Sequence, residues 1–208
     1  MHLLPAHQYH IYNQGNNRET LFYCREDYLR FLQLVRKHVM PHCDVLAWCL
    51  MPNHFHFLIL TNASSTELIK LGGNNLTLLN NGFRLLQTNY AQYANARYAR
   101  TGSLFRQKAK SKCLTDEAIT EGDDPSPNDI FNSYPWVCFH YIHQNPVKAG
   151  LAAYPEDWEF SSFRDYAGQR EGTLCNVVFG RKLTGLSEDD FNYDSIELPA
   201  WRVRKLFE

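Results

Sequence analysis

A stretch of alternating apolar and polar residues after a tight turn is the most informative hydrophobic pattern in the chain. Pro52 and Asn53 favour the turn, because proline fixes φ and asparagine tolerates the left-handed conformation that turns require. The alternation that follows predicts a β-strand over His54–Thr61. Side chains of a strand repeat on one face every second residue, so His54 and His56 share one face and the phenylalanines beside them share the other.

The same kind of periodicity predicts the other main elements. Apolar residues recur at helical spacing in three stretches, and strand-like runs lie between them. Pro135 suits the first turn of the last helix. Pro146 is expected to end that helix, because the residue before a proline is pushed out of the helical region. The predicted strands are Gln8–Gln14, 43–50 and 104–114, and the predicted helices are 26–39, 77–100 and 135–145.

Four other stretches have weaker patterns. A weak helix is predicted at 67–71, before a Gly-Gly-Asn-Asn break. Residues 116–129 are acidic and contain two prolines, so we expect a surface loop there. Aromatic residues predict an ordered, packed segment at 158–162. A short helix is expected to start at 187–191, where a serine can cap it and acidic residues suit its first turn.

The predicted order of elements is β-α-β-β-α-β-α. This order predicts an α+β fold of ferredoxin-like type, with an antiparallel sheet and helices packed on one side. With 208 residues, of which 44% are hydrophobic and 14% aromatic, the chain can bury a core and fits one domain with elaborations. We expect a main domain over 1–166 and a C-terminal extension over 167–208 that packs on it or is partly flexible.

Composition restricts the compartment and the kind of metal site. No segment has the basic-then-apolar form of a signal peptide, and no apolar run approaches membrane-spanning length, so we expect a cytoplasmic protein. The six cysteines are scattered, without a Cys-x-x-Cys pair. We expect them to be buried thiols in a reducing compartment, which argues against a structural zinc site.

Charge is unevenly distributed, although the net charge is only −1. Every charged side chain between Leu68 and Thr115 is positive, aromatic residues are interleaved, and four of the cations share one parity along 104–114. Two interpretations are open: a solvated helix and strand face, or a surface where cations bind phosphates and rings stack on bases. The eight cations are Lys70, Arg84, Arg97, Arg100, Arg106, Lys108, Lys110 and Lys112.

Three features together predict a candidate catalytic site. Two imidazoles on one strand face can supply two nitrogen ligands to a divalent metal, although an isolated His-x-His is more often a surface pair. Tyr141 and Asn145 are four residues apart and project from one face of the last helix. A free phenol has a pKa of about 10 and is a weak nucleophile at neutral pH. A metal held by His54, His56 and an amide oxygen would help it by polarising a scissile phosphate.

These residues lie in motifs that resemble a known family. His54 and His56, in the frame Met-Pro-Asn-His-x-His, resemble the HUH motif. The stretch 141–151 resembles the signature around the single catalytic tyrosine of the REP-associated tyrosine transposases. Other stretches at 15–18, 102–106 and 158–162 also resemble that family at the expected places. Several motifs in the same order make the resemblance specific up to about residue 166, beyond which nothing matches.

The resemblance implies an HUH transposase-like catalytic domain over 1–166. It implies His54 and His56 as metal ligands, Tyr141 as the nucleophile and Asn145 as the third ligand, with Gln144 as a competitor for that place. The metal is expected to be Mg²⁺ or Mn²⁺, because phosphate oxygens and water would complete its shell. The residues expected to bind DNA are Arg18, Arg97, Arg106, Lys108, Lys110 and Lys112.

The activity that the resemblance implies is that of a transposase-type, metal-dependent single-strand DNA endonuclease and strand transferase. Tyr141 would attack a phosphodiester at a hairpin or repeat sequence, form a 5′-phosphotyrosine intermediate and release a 3′-hydroxyl. The expected partner is single-stranded or hairpin DNA, and the protein is expected to be a monomer or a homodimer. Two other functions stay open: a catalytically silent nucleic-acid-binding regulator, and a metal-dependent phosphohydrolase that uses water, with Tyr141 merely structural.

Overall fold

A computed structural model of the chain describes residues 1–115, 133–186 and 196–207. In chain order the strands are β1 (Gln8–Gln14), β2 (Cys43–Met51), β3 (His54–Thr61), β4 (Leu68–Leu71), β5 (Asn74–Thr77) and β6 (Lys110–Cys113). The α-helices are α1 (Arg25–His38), α2 (Ala63–Thr66), α3 (Leu78–Arg97), α4 (Tyr134–Lys148), α5 (Phe163–Tyr166), α6 (Val177–Thr184) and α7 (Ala200–Lys205). The expected loop at 116–129 and helix start at 187–191 lie outside the described residues.

Four strands form the main sheet, in the order β2-β3-β1-β6, and every neighbouring pair is antiparallel. The first and third strands are central because the two crossover helices, α1 and α3, each carry the chain past a neighbouring strand. This is the strand order of a ferredoxin-like fold, and the predicted α+β class is confirmed. The predicted bounds of β1 and β3 agree with the structure.

Helix starts are fixed by short polar side chains that accept backbone N–H groups. The Asp27 carboxylate accepts from Tyr23 N and Cys24 N at 2.8 and 3.3 Å at the start of α1. Thr77 Oγ1 accepts from Asn80 N at 3.2 Å at the start of α3. Such caps satisfy donors that have no partner within the helix itself. The apolar faces of both helices pack on the sheet.

Helices cover both faces of the main sheet. We call the two faces the phenylalanine face, which carries Phe55 and Phe57, and the histidine face, which carries His54 and His56. The sequence predicted helices on one side of the sheet, and the two crossover helices, α1 and α3, do share the phenylalanine face, but the last predicted helix does not. The tyrosine helix α4 packs on the histidine face, against apolar side chains of β2 and β3. The strands β2 and β3 bury apolar residues in each direction, so each face needs a cover.

The predicted helix at 67–71 is wrong. The helical turn α2 precedes it, and Leu68–Leu71 instead pairs with Asn74–Thr77 in a two-stranded sheet. Gly72 and Gly73 adopt φ values of 54° and 81°, which an asparagine or glycine turn permits and a helix does not. Pairing in a hairpin therefore determines the structure here, although the short apolar run favoured a helix.

Pro146 does not end the tyrosine helix, as the sequence predicted. The helix includes Pro146 and runs to Lys148, because the φ of proline is compatible with a helix and only one backbone donor is lost. Gly150, with a φ of 69°, ends it instead: Gly150 N donates to Val147 O and Leu151 N donates to Pro146 O, both at 2.9 Å.

The predicted strand at 104–114 is shorter in the structure. Only Lys110–Cys113 forms a ladder with β1, while Phe105 makes a single bridge to Gly15. Between these two points the Arg106 carbonyl accepts a hydrogen bond from Asn13 Nδ2 at 3.1 Å, so a side chain interrupts the backbone ladder. Residues 106–109 therefore lie outside the ladder, although Arg106 N still donates to Gln14 O at 2.9 Å.

The C-terminal residues that the structure describes pack on the main sheet. Asn176 N donates to Val45 O at 2.9 Å, just before α6, and Leu206 is fully buried among apolar residues of the histidine face. The boundary at residue 166 stays a prediction. None of the described helices combines the length and apolar character needed to span a membrane. All six cysteines are free thiols, and three of them are buried.

Candidate active site on the histidine face

A cavity of about 360 Å³ opens on the histidine face, near the ends of β1 and β3. It lies between the sheet, the tyrosine helix and the last residues described. Cationic, aromatic and imidazole side chains meet in it, which is the mixture expected of a site for a phosphate-containing ligand. The residues that line it are Tyr12, Asn13, Gln14, His54, His56, Arg106, Lys108, Lys110, Tyr141 and Phe207.

The two histidines share one face of β3, as the alternation predicted. Their ring centroids are 5.0 Å apart, with ring planes at 83°. His54, at the start of the strand, is partly exposed, and its Nδ1 lies 2.5 Å from Asn53 Oδ1. His56 lies deeper, with 3% of its surface exposed. Both rings are positioned by a rigid central strand, so neither needs a loop to be ordered before it can bind a ligand.

Burial keeps both imidazoles neutral. Desolvation lowers the pKa of His54 to about 4. Desolvation also lowers the pKa of His56 well below its ordinary value, and the neighbouring His10 and His54 add to that effect. A neutral imidazole has a lone pair on one ring nitrogen, and this is the form that binds a metal.

Tyr141 reaches the cavity from the tyrosine helix. Its ring centroid is 5.4 Å from that of His56, with the planes at 85°. Burial raises the pKa of the Tyr141 phenol, and the nearby Asn145 amide partly opposes that effect. The phenol is therefore protonated at neutral pH, and it needs an electrostatic partner before it can act as a nucleophile.

The structure distinguishes the two amides proposed as a third ligand. Gln144 Nε2 donates to Ile196 O at 2.9 Å, so this amide is already held by the C-terminal segment. Asn145 lies one helical turn after Tyr141, and its amide interacts with the Tyr141 phenol at the cavity instead of with the C-terminal segment. This geometry favours Asn145, whose role as a ligand stays a prediction.

The residues present fit a divalent metal bound by imidazole and amide groups. His56 Nε2 is buried and has no hydrogen-bond partner within the described ranges, which leaves a lone pair available in the cavity wall. Over residues 1–115, 133–186 and 196–207, no group of three or more His, Cys, Asp or Glu side chains is arranged to hold a metal. Any metal here would need an amide oxygen, and oxygens of a substrate or water, beside the two histidines.

Most of the cations predicted to bind DNA lie at or near the cavity. Arg106, Lys108 and Lys110 line it. Lys112 shares the histidine face, since it pairs with His10, but it does not line the cavity. Arg18 is exposed beside the turn before His54, where its carbonyl accepts from Asn53 Nδ2 at 3.3 Å. Of the three cations that line the cavity, Lys110 belongs to β6, whereas Arg106 and Lys108 precede that strand.

Arg97 is not brought to the cavity. It lies on α3, in the layer that covers the phenylalanine face, with its Nε 3.7 Å from the Asp27 carboxylate. The same guanidinium lies over the rings of Tyr93 and Tyr98, at 6.0 and 5.7 Å from their centroids. Arg97 therefore joins α3 to α1, a role that the run of positive charge in the sequence did not indicate.

The sequence analysis missed several residues of the site, among them His10 and Phe207. His10 shares the histidine face of β1 and contacts His56, and the period-2 pattern of β1 would have placed it there once the pairing with β3 was known. Phe207 packs edge-on against Tyr12 and Tyr141, with centroid distances of 5.0 and 5.4 Å. No local signal links Phe207 to residues so distant in sequence.

The architecture is shared with a solved transposase. The structure of a REP-associated tyrosine transposase bound to a REP hairpin matches 96% of this chain and 97% of its own, with a TM-score of 0.57 and 13% sequence identity. The chain has the fold of a tyrosine transposase. At this identity the likeness concerns the fold alone, and no protein-family model or curated protein matches the sequence.

Two weaker structural matches are to a bacterial tRNA(His) guanylyltransferase (Thg1)-like protein. The complex with ATP has a TM-score of 0.39 and 11% identity, and covers 71% of this chain and 61% of that one. The complex with GTP has a TM-score of 0.40 and 11% identity, over 76% and 73% of the two chains. TM-scores this low support no functional argument.

Proposed function

We propose that the protein is a metal-dependent, transposase-type single-strand DNA endonuclease and strand transferase that acts through a 5′-phosphotyrosine intermediate. The main supporting observation is that the rings of Tyr141 and His56 lie in one cavity, with their centroids 5.4 Å apart. Arg106, Lys108 and Lys110 line the same cavity. A nucleophile, candidate metal ligands and phosphate-binding cations are the parts that such a reaction needs.

In the proposed reaction the Tyr141 oxygen attacks a DNA phosphorus. A new O–P bond forms, the phenolic proton passes to solvent, and the bond from phosphorus to the 3′ oxygen breaks. The departing oxygen takes up a proton and leaves as a 3′-hydroxyl. The 3′-hydroxyl of another strand can then attack the phosphotyrosine, which restores the phenol and joins new ends.

The chain's own residues would orient the phosphate and stabilise its charge. Arg106, Lys108 and Lys110 lie where they can bind the backbone oxygens of a strand that enters the cavity. His54, His56 and Asn145 are the residues that would hold Mg²⁺ or Mn²⁺. When bound, the ion would polarise the phosphate and offset the developing negative charge. That help is needed because burial raises the pKa of Tyr141.

The shared fold supports DNA as the substrate class. The transposase that matches this chain over nearly its whole length was solved with a REP hairpin bound. By analogy we propose that this protein acts on single-stranded DNA with hairpin or repeat sequences. The analogy is based on the shared fold and not on shared sequence.

A cleavage assay with and without metal tests the proposed function. The protein is incubated with 3′-labelled single-stranded DNA hairpins from its own genome, with Mn²⁺, with Mg²⁺ or with a chelator, and the products are separated on a denaturing gel. We expect cleavage only with metal, and its loss in His56→Ala. His7→Ala is the control, since His7 lies just before β1, outside the cavity, and bonds to Pro5 O.

Three results would contradict the proposal in different ways. Binding of hairpins without any cleavage would favour a regulator that has no turnover. Metal-dependent cleavage that never leaves DNA on the protein would favour a phosphohydrolase that uses water. Cleavage that persists in the chelator and in His56→Ala would exclude the histidine pair as the metal site.

A further inference from the structure

We propose that His10 is a positioning residue that fixes the proton of His56 on Nδ1 and so leaves Nε2 as the metal-binding nitrogen. This inference rests on the proposed metal site and adds a residue to it that neither motif contains. It follows from an unbroken series of hydrogen bonds that links the C-terminal segment to the metal-binding strand.

The series begins at a backbone carbonyl. His10 Nδ1 lies 3.1 Å from Leu206 O, and His10 Nε2 lies 2.9 Å from His56 Nδ1. The His10 and His56 rings are nearly coplanar, with planes 20° apart, so the proton on one ring can point along the lone pair of the other. Both side chains are buried, His10 completely. Water is therefore not available to replace either bond.

The carbonyl determines the position of every proton in the series. Leu206 O can only accept, so His10 Nδ1 must carry a hydrogen. His10 is completely buried and both of its hydrogen-bond partners, Leu206 O and His56 Nδ1, are uncharged, so a neutral His10 has its lone pair on Nε2. His56 Nδ1 must consequently donate to His10 Nε2. The remaining nitrogen, His56 Nε2, carries no hydrogen and has no partner among the described residues.

This arrangement matches the usual support of a metal-binding histidine. A ligating imidazole generally donates its other N–H to an acceptor, which fixes both its tautomer and its ring orientation. Here the acceptor is a second imidazole, which is itself held by the main chain of Leu206. Without His10, the His56 ring would keep neither its orientation nor its proton position.

The proton positions can be measured in the metal-free protein. Histidines are labelled with ¹⁵N, and long-range ¹H–¹⁵N correlation spectra are recorded at pH 7.5, with His56→Ala used to assign the His56 signals. We expect His56 Nδ1 to be protonated and Nε2 to be unprotonated in the parent protein. In His10→Leu, which removes the acceptor at similar volume, the His56 signals should shift towards the opposite tautomer.

Metal affinity provides an independent readout. Calorimetric titration with Mn²⁺ should show that affinity falls by about 10–100-fold in His10→Leu. His10→Gln should restore most of it, because its amide can accept from His56 Nδ1 and donate to Leu206 O. His7→Leu replaces a buried histidine outside the cavity and should leave affinity unchanged. Circular dichroism establishes that each variant is folded.

The possible results separate this inference from the proposed function. A hydrogen on His56 Nε2 in the parent protein would overturn the inference, as would unchanged Mn²⁺ affinity in a folded His10→Leu. If His10→Leu does not fold, the parent spectrum and His10→Gln decide the matter. If the parent protein does not bind Mn²⁺, the proposed metal site is wrong. The proposed role of His10 in preparing His56 for a metal is then wrong as well.

Discussion

At the scale of single residues, burial determines the chemistry of the site. Desolvation keeps His10 and His56 neutral and keeps Tyr141 protonated, so the site in its resting state has lone pairs to offer and no nucleophilic anion. The His-x-His pair and Tyr141 were predictable from sequence because each lies in a short local pattern. His10 was not, because its contact with His56 depends on the register between β1 and β3.

The third metal ligand can be assigned by comparing two adjacent amides. Asn145→Ala should weaken Mn²⁺ binding by about 10–100-fold, since it removes a ligand oxygen or its closest support. Gln144→Ala breaks the bond to Ile196 O and should reduce the free energy of unfolding by about 1 kcal/mol, with metal affinity preserved. Calorimetric titration and urea denaturation of both variants check this, and the reverse pattern would assign Gln144 as the ligand.

Neutral buried histidines make stability depend on pH. The folded pKa of His10, about 4, is below its unfolded value, so the unfolded state binds more protons between about pH 6.5 and pH 4. The free energy of unfolding should therefore fall as the pH drops through that range. At pH 5.5, one unit below the unfolded pKa of about 6.5, His10 alone should lower the free energy of unfolding by about 1.4 kcal/mol. Urea denaturation at pH 7.5 and 5.5 should show it, with a smaller difference in His10→Gln; equal stabilities at both pH values would contradict it.

At the scale of elements, close contacts between secondary-structure elements decide what local propensity cannot. The periodicity of α1 and α3 was enough to predict both helices, but their crossing depends on Gly82, where an added Cβ would meet the His38 carbonyl of α1. At Leu68–Leu71 the local pattern gave the wrong element, because pairing in a hairpin overrides a weak helical pattern. Partners distant in sequence are invisible to local patterns.

Gly82→Ala should destabilise the protein although alanine is the better helix former. In an exposed helix this change gains about 1 kcal/mol, whereas here the methyl group must displace the backbone of α1, at a net cost of about 1–3 kcal/mol. Gln92→Ala, at an exposed position of the same helix, should change stability by less than about 0.5 kcal/mol. Thermal and urea denaturation would compare them, and a stabilised Gly82→Ala protein would contradict the packing.

The cations on β6 and beside it should differ from Arg97 in their effect on DNA binding. Lys110→Gln should weaken binding to all single strands alike and reduce the salt slope by about 0.7, the value for one phosphate contact. Arg97→Gln should leave that slope unchanged, because its guanidinium is engaged with Asp27 on the other side of the sheet. Fluorescence anisotropy over a range of salt concentrations would test both variants. Equal salt slopes for the parent protein, Lys110→Gln and Arg97→Gln would show that Lys110 is a solvated cation that does not contact DNA.

At the scale of the whole molecule, the sheet separates a structural layer from a layer that holds the site. The helices α1 and α3 cover one face, and the tyrosine helix with the C-terminal segment covers the other. The order of elements predicted the fold class, since a ferredoxin-like sheet follows from it. It did not predict that Tyr141 lies on the face opposite α1, nor that Leu206 and Phe207 return to the site. Those placements depend on contacts between residues far apart in the chain.

The central claim is that the Tyr141 oxygen becomes covalently attached to DNA, and mass spectrometry of the protein tests it most directly. The parent protein and Tyr141→Phe are incubated with Mn²⁺ and a labelled single-stranded hairpin, digested, and searched for peptides that carry a nucleotide. Tyr141→Phe removes one oxygen and keeps the ring, so packing against His56 should persist and hairpin binding should survive. We predict an adduct on the Tyr141 peptide of the parent protein and neither adduct nor cleavage in Tyr141→Phe; an adduct on another residue such as Tyr134, or cleavage by Tyr141→Phe at the parent rate, would contradict the claim.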